Sequence, residues 1–502
     1  MELIQRNSAF RNRRDLFYIL AIILVAFAIY YPIFYTEFLF TDEAVQLWRY
    51  RKESGVHMSI VHGRYLFDEL TTRLFSNANS IHDVISIRVF SFLGWVLCIP
   101  AWYLVIKKIT TREKLSPLLV FFSVLYLVCT PSFTIQVGWA SLVGLFMANT
   151  SGLLSGYLFY IGLDSANKKN YRSTITIAGS ILFGLISLFT YQNGFGCFLL
   201  PFLLHLISKP RSFRIMFIAI GFCLLIYVIY YFLFKYSLAA NHIQTIERTQ
   251  ISLNIFPKFR FFFRPLATAF HFTFLFNERS IAGLAIYAII LLAGLYFYQS
   301  SLQLAITDRL KVIALIVLVL LVIYLPLLIV KENYFPNRTL LALDMAVFFL
   351  AANTLLVVIK KHERKITIIS ILSFLFVLNA RHNFTQQFLN PLKKEYTQVR
   401  SFIESNYNPG ITQVYFIRPH EDFFVRKYGI TRSWDEFGVP STFFDWVPEF
   451  FTKQLVFEKT SDRKTAESLI IKHWLGREEY QKENPPLSPN TMLVDVEEIM
   501  NR

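Results

Sequence analysis

Apolar runs of about bilayer length recur along the chain, separated by short polar joins. A helix crossing the hydrocarbon core needs about 20 predominantly apolar residues. On that rule, spans are predicted near 16–36, 84–106, 116–133, 140–162, 173–190, 193–208, 213–236, 281–299, 311–330, 338–359 and 366–380, about 11 transmembrane helices. The fifth and sixth are short and separated only by TYQNGFG, which reads as a tight hairpin or a partly re-entrant segment. Beyond residue 380 the pattern changes. ITQVYFI, near 411–417, alternates as a strand does, and TAESLIIKHWL reads as a helix. The expected architecture is a polytopic α-helical membrane domain over 1–380 and a soluble α/β or α+β domain over 381–502, which is long enough to bury a core. The first apolar stretch follows RNRR, is too long for a signal peptide and lacks a clear small-residue cleavage site, so a retained first span is expected.

Composition supports the membrane class. The 502 residues are 54% hydrophobic and only 17% charged, with 52 Phe and 26 Tyr; soluble domains carry about 25% charged residues. The net charge of +16 is unevenly placed: 1–380 holds 34 Lys/Arg and 17 Asp/Glu, and 381–502 holds 16 and 17. No basic tract stands apart from the spans, which argues against a nucleic-acid partner. The joins KKITTREK, DSANKKNYR, SKPRSFR, TDRLK and KKHERK are net basic, whereas PSFTIQVGW and YQNGFG carry no charge. The positive-inside rule then puts the N-terminus in the cytoplasm, and loops 37–83 and 237–280 and the C-terminal domain on the other side. The four cysteines, Cys98, Cys129, Cys197 and Cys223, lie in apolar stretches and suggest neither a disulfide framework nor a metal site.

Candidate chemistry gathers beside the spans. Asp42 and Glu43, in FTDEAVQLWRY, either start an ordinary helix, with Thr41 or Asp42 as its cap, or supply a base for an incoming hydroxyl. Adjacent residues do not share a helix face, so one acid can face a cavity while the other binds a neighbour; Glu37 stays open as the base. In HGRYLFDEL, Arg64 precedes an amphipathic surface helix and either binds a phosphate or snorkels. His57 and His62 are candidate proton shuttles, and with Asp42 and Glu43 they form a conceivable metal set that matches no strong motif. LIVKENYFPNRTLLALD carries Lys331 and Arg338 at a short turn between spans, where basic groups can neutralise a phosphate. Asp344 and Arg88 lie inside spans, where charge is costly and often functional or paired. PKFRFFFRPLATAFHF sets Lys258, Arg260, Arg264 and His271 among aromatics, either as an interfacial adhesion segment or as the lining of a groove.

The acidic pair in the first noncytoplasmic loop, HGRYLFDEL, ENYFPNRTLLAL near a late span and the terminal domain together resemble the GT-C type of multispan, lipid-sugar-dependent glycosyltransferases. The likeness is to bacterial glucosyltransferases that modify O-antigen and other envelope glycans. It covers architecture over most of 1–380, rests on short motifs, and gives no match for 381–502. The resemblance implies a polyprenyl-phosphate donor and inverting transfer of glucose or another hexose to an envelope glycan or lipid. Asp42 would be the catalytic base, with Glu43 its close competitor. Arg64, Arg338 and Lys331 would bind the donor phosphate, and His57, His62, Arg260, Arg264 and His271 would line an acceptor or lipid groove. Some members of the family use a divalent cation and others do not, which leaves metal dependence open. A bacterial inner membrane suits the resemblance.

A transporter or flippase for a glycan or lipid-linked substrate is the alternative from a different class. It accounts for many spans and buried charges but fits the large loops and terminal domain less naturally, and no inverted repeat is evident. A scaffold would keep its function without Asp42 and Glu43.

Overall fold

The computed structural model describes residues 2–50, 57–166, 171–240, 242–243, 250–252, 254–274, 294 and 304–502. Long apolar helices dominate. They are α1 (Glu2–Tyr30), the short α2 (Asp42–Arg49) and α3 (Tyr65–Phe75), then α4 (Ile81–Arg112), α5 (Leu118–Cys129), α6 (Pro131–Gly138), α7 (Leu145–Ala166) and α8 (Tyr171–Thr190). After them come α9 (Leu200–Ser208), α10 (Phe213–Ala240), α11 (Ile255–Phe270), α12 (Ile306–Ile323), α13 (Leu325–Ile329), α14 (Leu341–Val358), α15 (His362–His382) and α16 (Asn390–Asn406). Seven helices among the described residues are long and apolar enough to cross a membrane, or eight if the bent pair α5–α6 is one span. The protein is a polytopic, mostly α-helical membrane protein.

The local sequence explains where these helices start and break. Ser80 and Asp83 form a reciprocal capping box at the head of α4. Thr130 caps α6 through its hydroxyl, and Pro131 cannot continue α5, so the pair bends by 49°. The span expected at 311–330 breaks at Tyr324, before Pro326, and its first turns carry Asp308, Arg309 and Lys311. The segment expected as a span at 193–208 is instead a 3-10 stretch, Gln192–Leu199, running into α9. Its backbone passes so close to α7 that a Cβ on Gly152 or Gly156 would lie 2.3 Å or 2.0 Å from the carbonyl oxygens of Gly194 and Phe198. Small residues at such positions let membrane helices approach closely. The span expected at 281–299 lies almost wholly outside the described residues.

The boundary expected at 380/381 falls inside a continuous helical run, because α15 passes through a π-helical segment, Asn383–Leu389, into α16. The C-terminal unit follows: β1 (Gln413–Arg418), α17 (Phe423–Tyr428), α18 (Val447–Thr460), β2 (Ile470–Leu475) and β3 (Thr491–Asp495). The strands make an open, all-parallel sheet in the order β2-β1-β3, with Val414 opposite both Ile471 and Met492. β1 is central and its middle four residues are buried. The segment expected as one helix, TAESLIIKHWL, is helical only to Ser468; IIKHWL is β2. β-branched and aromatic residues suit a pleated surface, and pairing with β1 outweighs local helix propensity.

Two polar layers bracket the apolar bundle. At one end Glu113, just past α4, receives His205 Nδ1 at 2.9 Å, lies 3.1 Å from Lys209 Nζ and accepts the Tyr160 hydroxyl. Although burial opposes its charge, these partners hold Glu113 down at about 2. At the other end α2, the 139–144 turn, the turn at Asn337–Thr339 and the C-terminal unit meet.

Candidate functional site

α2 sits against the Trp139–Leu142 turn and against α18. Thr41, its N-cap residue, has φ +43°, a strained value for a β-branched residue, and its side chain makes no cap bond. Its N–H instead donates to Ser441 Oγ at 2.7 Å, which ties the start of α2 to the C-terminal unit. Glu43 turns inward and has 0% exposure. One of its oxygens accepts Arg88 Nη2 at 2.5 Å and the Phe40 N–H at 2.7 Å, and the other accepts the Ala140 N–H at 2.6 Å. Arg88, equally enclosed, also donates to the Phe38 carbonyl and lies over the Phe38 ring. Burial pushes the Glu43 carboxyl up, and Arg88 and the two amides pull against that rise. Glu43 is therefore a saturated strut. Asp42, next in line, is only half-buried, and Oδ1 takes the Trp446 indole N–H at 3.1 Å. Glu37 is bound up elsewhere, 3.0 Å from Arg400 and 3.4 Å from His82.

The same turn carries the link to Arg338. Ala140 holds Glu43, and the preceding Trp139 ring packs between Phe40 and the Arg338 guanidinium, which is 4.6 Å from its centroid. Gly138 leaves room for Phe388, which would clash with a Cβ there at 2.5 Å. Arg338 is paired: Nη1 meets Glu436 at 2.8 Å and Asp435 at 3.6 Å, and Nη2 meets the Tyr334 hydroxyl. Gln136 Nε2 donates to the Arg338 carbonyl at 3.1 Å.

Arg64, the residue just before α3, lies on the same side of the bundle. Its guanidinium lies 4.0 Å from the Tyr191 ring centroid, and Nε donates to Gln192 Oε1 at 3.1 Å. Gln192 Nε2 in turn reaches the His62 carbonyl and the Tyr230 hydroxyl. Gly63, with φ +77°, turns the chain against Tyr230, whose hydroxyl a Cβ would meet at 2.2 Å.

The other candidates disperse. Lys331 is exposed and donates to Gln250 Oε1 at 2.6 Å, apart from Arg338. Lys258 is buried, with Nζ capped by the Lys331 and Glu332 carbonyls and Asn333. Arg260 and Arg264 lie on the outer face of α11 beside exposed Phe256, Phe259 and Phe263, the arrangement of an interfacial helix. His57 Nδ1 pairs with buried Asp68 at 2.6 Å, and Asp68 also takes the Ser59 N–H. His62 contributes its carbonyl to Gln192. Among the described residues no three His, Cys, Asp or Glu side chains gather as a metal site.

His271 is buried and lines a small crevice, with room for about one water, bounded by Pro131, Asn337, Leu340, Asp344 and Ser433. Burial pushes the His271 imidazole down to about 4, so it is neutral at pH 7. Comparison of the chain with protein-family models, curated proteins and solved structures gives no match.

The fold brings Asp42, Glu43, Arg64 and Arg338 to one end of the bundle. Trp139, Tyr191, Gln192, Asp435 and Glu436, none of them singled out from sequence, contact these arginines. An aromatic next to a polar residue at a span boundary, as in TYQN, was the available signal for Tyr191 and Gln192.

Proposed function

We propose that this protein transfers a sugar, glucose or another hexose, from a polyprenyl-phosphate donor to an envelope glycan or lipid on the noncytoplasmic face of a bacterial inner membrane. The observation that carries the reading is the company Asp42 keeps. A half-exposed carboxylate shares one end of a membrane bundle with two arginines set against the faces of Trp139 and Tyr191. Arginine is the side chain best suited to hold a phosphate diester. In this mechanism Asp42 accepts the proton of the acceptor hydroxyl as its oxygen attacks the anomeric carbon. The bond from that carbon to the phosphate oxygen breaks with inversion, and polyprenyl phosphate leaves with the electron pair. Arg338 and Arg64 stabilise the charge that develops on it. Glu43 sets the pitch of α2, and so the aim of Asp42, without touching the reactants. The net-basic joins are assigned to the cytoplasmic face, which leaves donor and acceptor to meet on the other.

Purified protein in nanodiscs, given radiolabelled polyprenyl-phosphate glucose and candidate glycan acceptors, tests the reading. Label should move to an acceptor, and Asp42→Asn should abolish the movement while the protein stays folded. The transporter reading draws on Asp344, an acid in the first turn of a span. Translocation of intact donor across proteoliposomes, with no label reaching any acceptor, would establish that reading in place of transfer.

A further inference from the structure

The C-terminal unit reaches back over the Arg338 turn through residues 431–440, and the contact has the form of a filled anion site. Glu436 is 2% exposed. One carboxylate oxygen takes the Asn337 N–H at 2.6 Å; the other takes the Arg338 N–H at 3.2 Å and Arg338 Nη1 at 2.8 Å. Two successive backbone N–H groups and a guanidinium converging on one oxyanion form a donor set suited to phosphate. Asp435 holds the Tyr334 hydroxyl, which Arg338 also engages. Ser433 accepts from Asn337 Nδ2 at 3.0 Å and roofs the crevice described above. Trp434 sits at φ +50° between these two contacts.

A second observation points to a ligand beneath this roof. Asp344 is 5% exposed and lines the crevice, and its carboxylate makes no hydrogen bond among the described residues. A polar group in that state is costly at membrane depth. The crevice is lined by no Lys or Arg and has room for about one water-sized polar group, so an anion is held at Arg338 above it and not within it.

We infer that residues 431–440 form a plug in which the Glu436 carboxylate stands in for the phosphate of a polyprenyl-phosphate ligand, and that the ligand displaces it. This rests on the reading of Arg338 as the phosphate residue. With the plug seated, Arg338 is already neutralised. Binding must lift Glu436 from the two amides, and apparent affinity is reduced by the fraction of molecules in which it is seated.

The test measures binding of polyprenyl monophosphate, without sugar, to the full-length protein in nanodiscs. Glu436→Gln should bind at least threefold tighter than the unaltered protein, and Arg338→Gln should lose binding. Unaltered protein supplies a readout that needs no variant: on adding polyprenyl phosphate, amide hydrogen exchange in 431–440 should rise while Asn337 stays protected. Inorganic phosphate and phosphatidylglycerol, added separately, identify the source; either one matching polyprenyl phosphate overturns its assignment as the ligand. Equal or weaker binding by Glu436→Gln, with loop exchange unchanged by ligand, would overturn the plug and leave Glu436 as a strut. Tighter binding by that variant without any sugar transfer would keep the plug and overturn the transferase reading instead.

Discussion

Breaking the Glu43–Arg88 pair decides whether Glu43 is a strut or a reacting group. The charges meet at 2.5 Å, with 0% exposure on either side chain. Desolvation offsets most of the attraction inside such a pair, so its net worth is small, but removing one partner strands the other at a cost of about 3–5 kcal/mol. In Glu43→Gln a single amide oxygen remains where two oxygens accept Phe40, Ala140 and Arg88. The new NH2 group must face one of those donors, and Arg88 keeps an uncompensated charge. Arg88→Met removes the cation and leaves the carboxylate on its two amides alone. Each single variant should therefore lose about 3–5 kcal/mol. The double variant should cost less than their sum by about 2–3 kcal/mol, because it strands no charge. Unfolding of the purified protein by SDS titration, followed by far-UV circular dichroism, measures all four corners of the cycle. Sugar transfer per folded molecule is measured beside it. Effects that add within about 0.5 kcal/mol would refute the coupling. A Glu43→Gln protein as stable as the original but inactive would return Glu43 to the chemistry.

Asp42→Asn should lower transfer at least 100-fold, within the range a positioned general base contributes, while leaving the SDS midpoint unchanged. Arg338→Lys should raise the donor KM more than it lowers kcat, because an ammonium cannot make the bidentate guanidinium contact with a phosphate. Arg338→Ala is expected to lose stability as well, by leaving Glu436 buried without its cation, and adding Glu436→Gln should restore most of that loss. Glu113 supplies a pH test. Its folded pKa of about 2 lies below the ordinary 4.5, so its stabilisation is fully present above about pH 4.5 and is lost as pH falls through 2. The shift corresponds to about 3 kcal/mol; SDS midpoints between pH 6 and 3 should fall in the original and stay flatter in Glu113→Gln. Arg260→Gln and Arg264→Gln, on an exposed face, should change stability by less than about 0.5 kcal/mol.

The membrane class was legible because burial in lipid leaves a one-dimensional trace. Seven of the expected spans coincide with apolar helices long enough to cross. The misreadings share a cause, since hydropathy records how apolar a segment is and not whether its backbone runs straight. Residues 193–208 are apolar, but Gly194 and Gly196 press against α7 and against the Ile323 carbonyl, and the chain folds there as a 3-10 stretch. At 381 polarity rises while the helix continues, because α16 packs Leu392, Tyr396, Val399 and Ile403 into the core although its outer face is charged. The strand at Ile470–Leu475 depends on pairing with Gln413–Arg418, nearly 60 residues earlier, which local propensity does not encode.

The candidate residues stand out in sequence by position, and their pairings do not. Asp42, Arg64 and Arg338 stand out because charged residues beside spans are few. Their partners are distant in sequence: Glu43 finds Arg88 45 residues on, and Arg338 finds Glu436 98 residues on. Those pairings change what each residue can do. Sequence leaves Asp42 and Glu43 as competing bases and says only that one can face a cavity and the other a neighbour, since consecutive positions on a helix point roughly 100° apart. That rotation sends Glu43 onto Arg88 and the backbone while Asp42 stays at the rim with the Trp446 indole. The same logic applies to Arg338. A guanidinium already held by two carboxylates attracts a phosphate only when those carboxylates withdraw. A phosphate site at this turn therefore requires the C-terminal unit to move, and the 431–440 loop is the segment whose contacts must change first.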